Sequence, residues 1–309
     1  MAAIPRTWLI TGSSSGFGLT LARTALAKGH NVIATSRNPE RTPEYVKEIE
    51  ASPRGRWLKL DVTSDANTIK SVVDEAAQIF GGIDVLCNNA GYSVMGAVED
   101  IPGTSSTGGS HSLGTSNFSR RQSKDPIRGQ LLGLIRVTQA ALPILRAQQS
   151  GTIVNFSSIG GFQAGPCTGI YAASKFAIEA WSESMAQEIS PFGIRVLVIE
   201  PGAFNTNFLS DTALQPVPLS EAYRGGPVDQ AVRKFISMNG KQANDTVKGC
   251  EKIVANVDRG LDKEKLGKTQ HLRLPLGKDC VDRIAVKMAA LNENWENTRE
   301  EAVGLEVNA

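Results

Sequence analysis

The sequence contains few of the residues that build metal centres and disulfide frameworks. It has only four cysteines and three histidines in 309 residues. No CxxC spacing joins the cysteines, which stand at Cys87, Cys167, Cys250 and Cys280. We interpret them as reduced thiols of a cytoplasmic protein. The histidines form no cluster, so no metal site is predicted. No GxSxG sequence is found around Ser157 and Ser158, which leaves a serine hydrolase triad without support.

A strong charge and a long apolar segment are also missing. The net charge is +2 at pH 7, so we expect no general attraction to nucleic acid or to an anionic membrane. No apolar run approaches the ~20 residues of a membrane span, and the N-terminus lacks the pattern of a signal peptide. We therefore expect no membrane span, a cytoplasmic location and one large α/β domain with its own core.

A glycine-rich turn near the start of the chain is typical of a phosphate-binding site. TGSSSGFG at 11–18 stands between a short strand, Trp8 to Ile10, and a helical run, Leu19 to Ala27. Glycines let a pyrophosphate approach the backbone, and a helix N-terminus offers N–H donors and a partial positive charge. The spacing is TGxxxGxG instead of GxGxxG, so the evidence is mainly its position at the first strand–helix turn. The candidate residues are Gly12, Ser14, Gly16, Phe17 and Gly18.

The end of the second predicted strand, Asn31 to Ser36, bears on the choice of dinucleotide. In a dinucleotide fold this end faces the adenosine ribose, where an acidic residue would bind the 2′-hydroxyl of NAD. This chain has Ser36 and Arg37 instead, a hydroxyl and a cation that suit the 2′-phosphate of NADP. The alternative is that Arg37 is only a solvated loop residue. We predict NADP(H) as the cofactor.

Two further strand ends supply polar candidates. Asp61 follows a strand at Trp57 to Leu60 and either accepts from the adenine amino group or caps the helix that starts near Ser64. The fourth strand, Ile83 to Cys87, opens into Asn88 and Asn89. Asparagines at this point either tie strands together or contact the ribose. We assign Asn89 to the cofactor and leave the role of Asn88 open.

The segment from Thr152 to Gly202 carries the candidate chemistry. A buried strand at Thr152 to Phe156 is followed by a loop and then a helix from Tyr171 to about Ile189. Residues four apart share a helix face, so the hydroxyl of Tyr171 and the ammonium of Lys175 can point the same way. A nearby cation favours the phenolate and lowers the pKa of a tyrosine, which then exchanges a proton with a carbonyl or an alcohol. By itself the YxxxK pattern also occurs by chance on many helices.

Taken together, TGSSSGFG, NNAG at 88–91, Ser158, YAASK at 171–175 and PG at 201–202 resemble the classical short-chain dehydrogenase/reductase family. FGGIDVLCNNAGY, VIEPGAF and RLPLGKDCV are similar to its hydroxysteroid- and retinol-dehydrogenase-like branch. The resemblance implies a single Rossmann-type doubly wound domain with a seven-stranded parallel sheet in the order 3-2-1-4-5-6-7. It also implies nicotinamide-dependent interconversion of alcohols and carbonyls.

The resemblance also assigns roles to individual residues. Ser158, 13 residues before Tyr171, matches the serine that orients the substrate, and Ser157 does not sit at that spacing. Tyr171 matches the proton donor or acceptor. Lys175 matches the lysine that binds the nicotinamide ribose and lowers the pKa of the tyrosine. Thr206 matches a threonine near the nicotinamide amide or the phosphates.

One segment departs from the family pattern. Residues 103–130 are rich in Ser, Thr and Gly without apolar periodicity, a composition that predicts a flexible loop. The family has an asparagine three residues before the glycine that matches Gly133, where it supports a proton relay, and this chain has Gln130. Either the segment is a surface insertion with a tolerated substitution, or it is translated intron or another error in the gene model. The transcript sequence across 95–135 distinguishes the two.

The sequence thus predicts an NADP(H)-dependent oxidoreductase acting on a small organic or lipid-like substrate. We expect a cofactor-binding and catalytic core at 1–207 and a substrate lid with a C-terminal region at 208–309. In the family that the chain resembles, the amphipathic helix after Leu131 commonly forms part of a dimer face, which implies assembly as a homodimer or homotetramer. The alternative is a protein that binds NADP(H) but is catalytically impaired and acts as a sensor or an interaction module.

Overall fold

The computed structural model describes residues 5–101, 127–210, 214–261, 271–305 and residue 307. Most of the atypical segment 103–130 lies outside the described residues. Within the described ranges, no helix combines the length and the apolar character needed to cross a bilayer.

A parallel sheet of seven strands forms the centre of the domain, in the order β3-β2-β1-β4-β6-β7-β9. A second sheet pairs β5 with β8. The strands are β1 (Thr7–Ile10), β2 (Asn31–Ser36), β3 (Gly55–Lys59), β4 (Val85–Asn88), β5 (Ser93–Met95), β6 (Gly151–Phe156), β7 (Ile194–Pro201), β8 (Leu214–Pro216) and β9 (Arg273–Leu276). Counted within the large sheet alone, the order is 3-2-1-4-5-6-7. The predicted fold class, a single Rossmann-type doubly wound domain, is therefore confirmed.

Helices cover both faces of the large sheet because the strands are apolar on both sides. The helices are α1 (Gly16–Ala27), α2 (Pro43–Glu50), α3 (Ala66–Ile79), α4 (Gly133–Gln148), α5 (Gly169–Ile189), α6 (Pro227–Ser237), α7 (Thr246–Leu261) and α8 (Lys278–Thr298). In β1, Trp8 and Ile10 pack with α1, α2 and α7, while Leu9 packs with α3, α4 and α5. This alternation is the two-residue period of a strand buried on both faces.

Most of the predicted helices and strands are present, and the differences between the prediction and the structure have simple causes. Helix α6 and the small sheet fall in stretches whose proline and glycine content hides their periodicity in the sequence. Phe176, an apolar residue of α5, is 43% exposed. It lies on the outer side of the helix because a 21-residue helix packed on one sheet can bury only part of its circumference.

Candidate active site

A cavity of about 790 Å³ lies at the carboxyl ends of the central strands. Eleven predicted site residues line it, namely Gly12, Ser14, Gly16, Phe17, Ser36, Arg37, Asp61, Asn89, Ser158, Tyr171 and Lys175. Thr206 lines an adjoining cavity that shares Ser14 and Gly16 with the first. Gly18 is buried beneath the turn. Carboxyl ends of parallel strands form the usual ligand crevice of such folds, at the point where the strand order reverses.

The glycine-rich turn presents a free helix N-terminus to this cavity. Gly12 and Gly16 have φ values of +72° and +55°, a backbone region in which glycine is unstrained. Ser15 precedes α1 without making a side-chain cap, and the first turn of the helix contains no acidic residue. The first N–H groups of α1 are therefore available to an anion, and the local dipole favours a negative charge. This arrangement fits the pyrophosphate of a dinucleotide.

Gly18 permits close packing between α1 and the turn. A Cβ atom at this position would lie 2.3 Å from the carbonyl oxygen of Gly12 and 2.5 Å from Nδ2 of Asn89. That Asn89 amide donates hydrogen bonds to the carbonyl oxygens of Thr11 and Gly12, at 3.0 and 3.1 Å. Asn89 therefore braces the glycine turn against the end of β4.

Replacing Gly18 with alanine is expected to weaken dinucleotide binding at least about tenfold and to cost about 1–3 kcal/mol of stability, because the methyl group overpacks the brace. Titration of protein fluorescence with NADPH and thermal unfolding measure the two effects. Gly226→Ala is the control, since a Cβ there meets only the carbonyl oxygen of Tyr223, at 3.5 Å. Equal affinities in the two variants would contradict this role of Gly18.

Phe17 contributes to the site through its backbone, while its ring belongs to the core. The ring packs against Phe156 and Phe204, with centroid distances of 5.3 and 4.9 Å. These contacts anchor the start of α1.

Thr206 lies close to Gly16 of the turn, and its Oγ1 accepts a hydrogen bond from the backbone N–H of Phe208 at 3.3 Å.

The end of β2 brings two cations to one end of the cavity. Ser36 is buried, and its Oγ accepts a hydrogen bond from Nε1 of Trp57 at 3.1 Å, so its hydroxyl proton remains free to donate. Arg37 is exposed at the cavity edge, and Arg41 lines the same edge from a short 3₁₀ helix at Pro39–Arg41. Sequence reasoning missed Arg41. The signal was a second arginine one helical turn after Arg37, within a stretch that starts a helix with proline.

Polar residues at the ends of β3 and β4 mostly stabilise loops. Asp61 accepts hydrogen bonds from the N–H and the hydroxyl of Thr63, at 2.9 and 2.7 Å. It does not cap α3, because the N-cap is Asp65, which accepts from the backbone N–H groups of Asn67 and Thr68. The alternative in which Asp61 caps this helix is therefore wrong.

Asn88 is a structural residue. Its Nδ2 donates to Oγ1 of Thr138 and to Oδ1 of Asn155, each at 2.9 Å, in a buried setting. These bonds tie β4 to α4 and to β6. Of the two roles left open for Asn88, the structure therefore supports the tie between strands.

Tyr171, Ser158 and Lys175 meet at the end of the cavity opposite the arginines. Burial raises the pKa of Tyr171 to about 12, and the hydroxyl of Ser158 is close enough to lower that pKa in part. Burial also lowers the pKa of Lys175 to about 8, against the charge of Glu179, which raises it. The Lys175 ammonium donates to the carbonyl oxygen of Phe156 at 2.8 Å and lies 5.8 Å from the centre of the Tyr171 ring.

The predicted effect of Lys175 on the pKa of Tyr171 stays a prediction, and burial raises that pKa in this structure. The physical reason is the removal of water, because a phenolate in a buried site loses its hydration. The predicted choice between the two serines agrees with the geometry. Ser158 Oγ faces Tyr171 and accepts from the N–H of Gly160 at 3.0 Å, whereas Ser157 is buried behind it.

Gln130 lies in the floor of the cavity. The chain makes a wide π-helical turn at Ile127–Leu132 before α4, so the backbone is distorted where the family has its relay asparagine. Nε2 of Gln130 donates to the carbonyl oxygen of Tyr92 at 2.5 Å, and its Oε1 is buried without a hydrogen-bond partner among the described residues.

An aromatic wall closes the cavity beside Tyr171. The ring of Phe208, a residue that sequence reasoning did not single out, lies 5.9 Å from the ring of Tyr171.

Over the part of the chain that the structure describes, no three His, Cys, Asp or Glu side chains converge as a metal site would require.

Comparison with known proteins agrees with the fold. The model of the family described as short chain dehydrogenase matches residues 6–216. The oxidoreductase BOA17 of Botryotinia fuckeliana is 35% identical over 93% of this chain and 96% of its own length. Human retinol dehydrogenase 8 is 32% identical over 83% of this chain and 80% of its own length.

Solved structures lead to the same family. A short-chain dehydrogenase from Streptomyces avermitilis superposes with a TM-score of 0.80 at 32% identity, covering 98% of this chain and 100% of that one. A short chain dehydrogenase from Burkholderia cenocepacia in complex with NADP is similar in fold, with a TM-score of 0.64 at 24% identity, covering 91% of this chain and all of that one. With the glycine turn, the Tyr171–Lys175 pair and this sheet order in one molecule, the chain belongs to the short-chain dehydrogenase/reductase family of oxidoreductases.

Proposed function

We propose that the protein is an NADP(H)-dependent oxidoreductase that interconverts a carbonyl and an alcohol on a small organic or lipid-like substrate. The observation that carries the proposal is the arrangement of one cavity. It has an anion-binding helix N-terminus in the middle, two arginines at one end, and Tyr171 with Ser158 and Lys175 at the other. A dinucleotide fits this order of groups, with its adenosine phosphates towards the arginines.

The proton step belongs to Tyr171. When bound, the nicotinamide cofactor supplies or accepts the hydride at its C4 atom. In the direction of reduction, the Tyr171 hydroxyl donates its proton to the substrate oxygen, and in the direction of oxidation the phenolate takes the proton back. Ser158 donates a hydrogen bond to the same oxygen and stabilises the charge that develops there.

Lys175 supports this step from behind the tyrosine. Its ammonium is buried, and it would bind the ribose of the nicotinamide while its positive charge stabilises the phenolate form of Tyr171. Because the pKa of Lys175 is lowered to about 8, the supporting charge is present at neutral pH and is lost as the pH rises above that value.

The preference for NADP(H) rests on the end of β2. The cavity edge is lined by Ser36, Arg37 and Arg41. None of the three is a carboxylate, the group that accepts a hydrogen bond from the 2′-hydroxyl of NAD. Arginine binds phosphate through its planar fork of N–H donors.

The substrate is proposed from the character of the cavity wall. Phe208 stands beside Tyr171, and the rings of aromatic residues favour apolar ligands. The similarity to human retinol dehydrogenase 8 supports a lipid-like molecule.

The four cysteines are unpaired and buried, which supports the proposed cytoplasmic location. Exposed Phe176 on α5 supports assembly as a homodimer or homotetramer.

A second candidate function follows from Gln130. A protein that binds NADP(H) without turnover would act as a sensor or an interaction module. Gln130 stands where the family has its relay asparagine, and its longer side chain bonds to the carbonyl oxygen of Tyr92 in the cavity floor.

Purified protein with NADPH and a panel of ketones, quinones and aldehydes tests the proposal, through the loss of NADPH absorbance. We expect turnover of at least one apolar carbonyl compound. Binding of NADPH without turnover, together with turnover in Gln130→Asn, would favour the impaired protein. Gln78→Asn, on the exposed side of α3 away from the cavity, is the matched control. Failure to bind NADPH or NADH would contradict both candidates.

A further inference from the structure

Two buried carboxyl groups lie behind the candidate active site and take no part in the proposed mechanism. Glu179 on α5 and Glu200 on β7 have side chains that are 6% and 1% exposed. We call them the acid pair. Both contact the guanidinium of Arg273 on β9, at 3.0 and 3.1 Å from its Nε. Glu179 stands one helical turn after Lys175.

The charges around the acid pair do not balance if both carboxyls are ionised. Arg273 faces the two members of the pair and also bonds to Glu183, which is half exposed. From α8, Cys280 donates its thiol proton to the backbone carbonyl of Glu200 at 3.0 Å and brings no positive charge. Burying two carboxylates beside one shared cation is costly, and interacting carboxyls of this kind titrate as a unit.

The hydrogen bonds of the pair point to the same deficit. Oε2 of Glu179 and Oε1 of Glu200 lie 3.0 and 3.1 Å from the same Nε atom of Arg273, so the two carboxyl groups are close neighbours. One oxygen of each, Oε1, is buried without a geometrically satisfactory partner among the described residues, and so is the nearby Oγ of Ser157. A proton held between the carboxyls supplies the donor that this cluster lacks.

We propose that Glu179 and Glu200 share one proton, located mainly on Glu200, and that the remaining charge on Glu179 keeps Lys175 protonated. The acid pair is thus a positioning element for the charge of Lys175. The part that concerns Lys175 rests on the proposed function, whereas the shared proton does not.

The electrostatics of the individual groups support this assignment of the proton. Burial, followed by the charge of Glu179, raises the pKa of Glu200 to about 7, against the opposing effect of Arg273. Burial also raises the pKa of Glu179, but the nearby hydroxyl of Ser157 and the charge of Arg273 act against it. The charge of Glu179 in turn raises the pKa of Lys175 against its burial.

The shared proton predicts how stability depends on pH. An ordinary glutamate has a pKa near 4.5, and Glu200 in the folded protein has one near 7. Between these values the folded protein holds a proton that the unfolded chain has released, so the free energy of unfolding falls as the pH rises through this window. Glu200→Gln cannot lose a proton, so this decline should be reduced in the variant.

Chemical unfolding of the wild type, Glu200→Gln and Glu183→Gln from pH 5 to pH 8.5 is the first test. Glu183→Gln is the matched control because it contacts the same arginine from a half-exposed position. We expect Glu200→Gln to gain stability relative to the wild type as the pH rises, and Glu183→Gln to run parallel to the wild type. A constant difference between the wild type and Glu200→Gln would overturn the shared proton.

Infrared spectroscopy of the wild type gives a second readout that does not depend on folding of a variant. The infrared band of a protonated carboxylic acid is separate from the bands of carboxylates. We expect the protein to show this band at pH 6 and to lose it by pH 8.5. Its absence at pH 6 would overturn the proposal. If the band is present at pH 6 in the wild type, its loss in Glu200→Gln assigns the proton.

The effect on Lys175 is measured by the pH dependence of NADPH affinity. The affinity should fall as Lys175 loses its proton, and in Glu179→Gln the midpoint of that fall should move about one unit lower. An unchanged midpoint would overturn the coupling to Lys175. If the wild type does not bind NADPH at any pH, the proposed function fails, while the unfolding and infrared results still decide on the shared proton.

Discussion

Replacement of Tyr171 by phenylalanine is expected to remove turnover while leaving NADPH binding nearly intact. The phenol is 9% exposed at the catalytic end of the cavity, beside the hydroxyl of Ser158. Phenylalanine keeps the ring and its packing against Phe208 but has no proton to transfer. General acid–base catalysis contributes about 10²–10⁴-fold, so the rate should fall by that factor at saturating NADPH.

The measurement is the steady-state rate with a carbonyl substrate found in the panel, together with NADPH affinity by fluorescence. Tyr223→Phe serves as the control, because Tyr223 lies in a short 3₁₀ helix at Glu221–Tyr223 and lines neither the main cavity nor the adjoining one. If Tyr171→Phe retains more than a few per cent of the rate, Tyr171 is not the acid or the base. Loss of NADPH binding instead would assign the residue to the cofactor.

Reversal of cofactor preference is the second large effect that we expect. The wild type should bind NADPH at least about tenfold more tightly than NADH, since a hydrogen bond to a charged group is worth roughly 1.5–3 kcal/mol. Arg37→Asp should reverse the order, because a carboxylate repels the 2′-phosphate and accepts from the 2′-hydroxyl. Arg41→Ala should weaken NADPH binding to a smaller extent and leave NADH binding unchanged.

Titration of each variant with both dinucleotides checks these expectations. Lys47→Asp is the matched control, because it makes the same change of charge on neighbouring α2 at an exposed position that does not line the cavity. Equal affinities of the wild type for NADPH and NADH would contradict the role of Arg37. A similar loss in Lys47→Asp and Arg37→Asp would show a general electrostatic effect in place of a specific contact.

Features that depend on short-range spacing were predictable from the sequence. The glycine turn between β1 and α1 follows from glycines at positions that require left-handed backbone. The pairing of Tyr171 with Lys175 follows from the helical repeat. The order of the seven strands followed from the resemblance to a family, since no local pattern specifies which strands are neighbours.

Features that depend on contacts between distant segments were not predictable. Asp65 caps α3 in place of the predicted Asp61, because the helix begins at Ala66, directly after Asp65. Arg41 reaches the cavity because a 3₁₀ helix folds back beside the end of β2. The raised pKa of Tyr171 comes from burial, which a lysine at i+4 does not reveal.

The sequence by itself predicted the phosphate-binding turn and the residues of the proton-transfer group, because each is written as a motif in one contiguous stretch. The Rossmann-type domain followed from the family that these motifs resemble. Only the tertiary structure decided that Ser36 accepts from Trp57, that Asn88 ties β4 to β6, and that Glu200 meets Glu179 and Arg273. The physical reason is that a hydrogen bond or a charge interaction acts over a few ångströms of space. The sequence does not show which residues the order of the strands brings that close together.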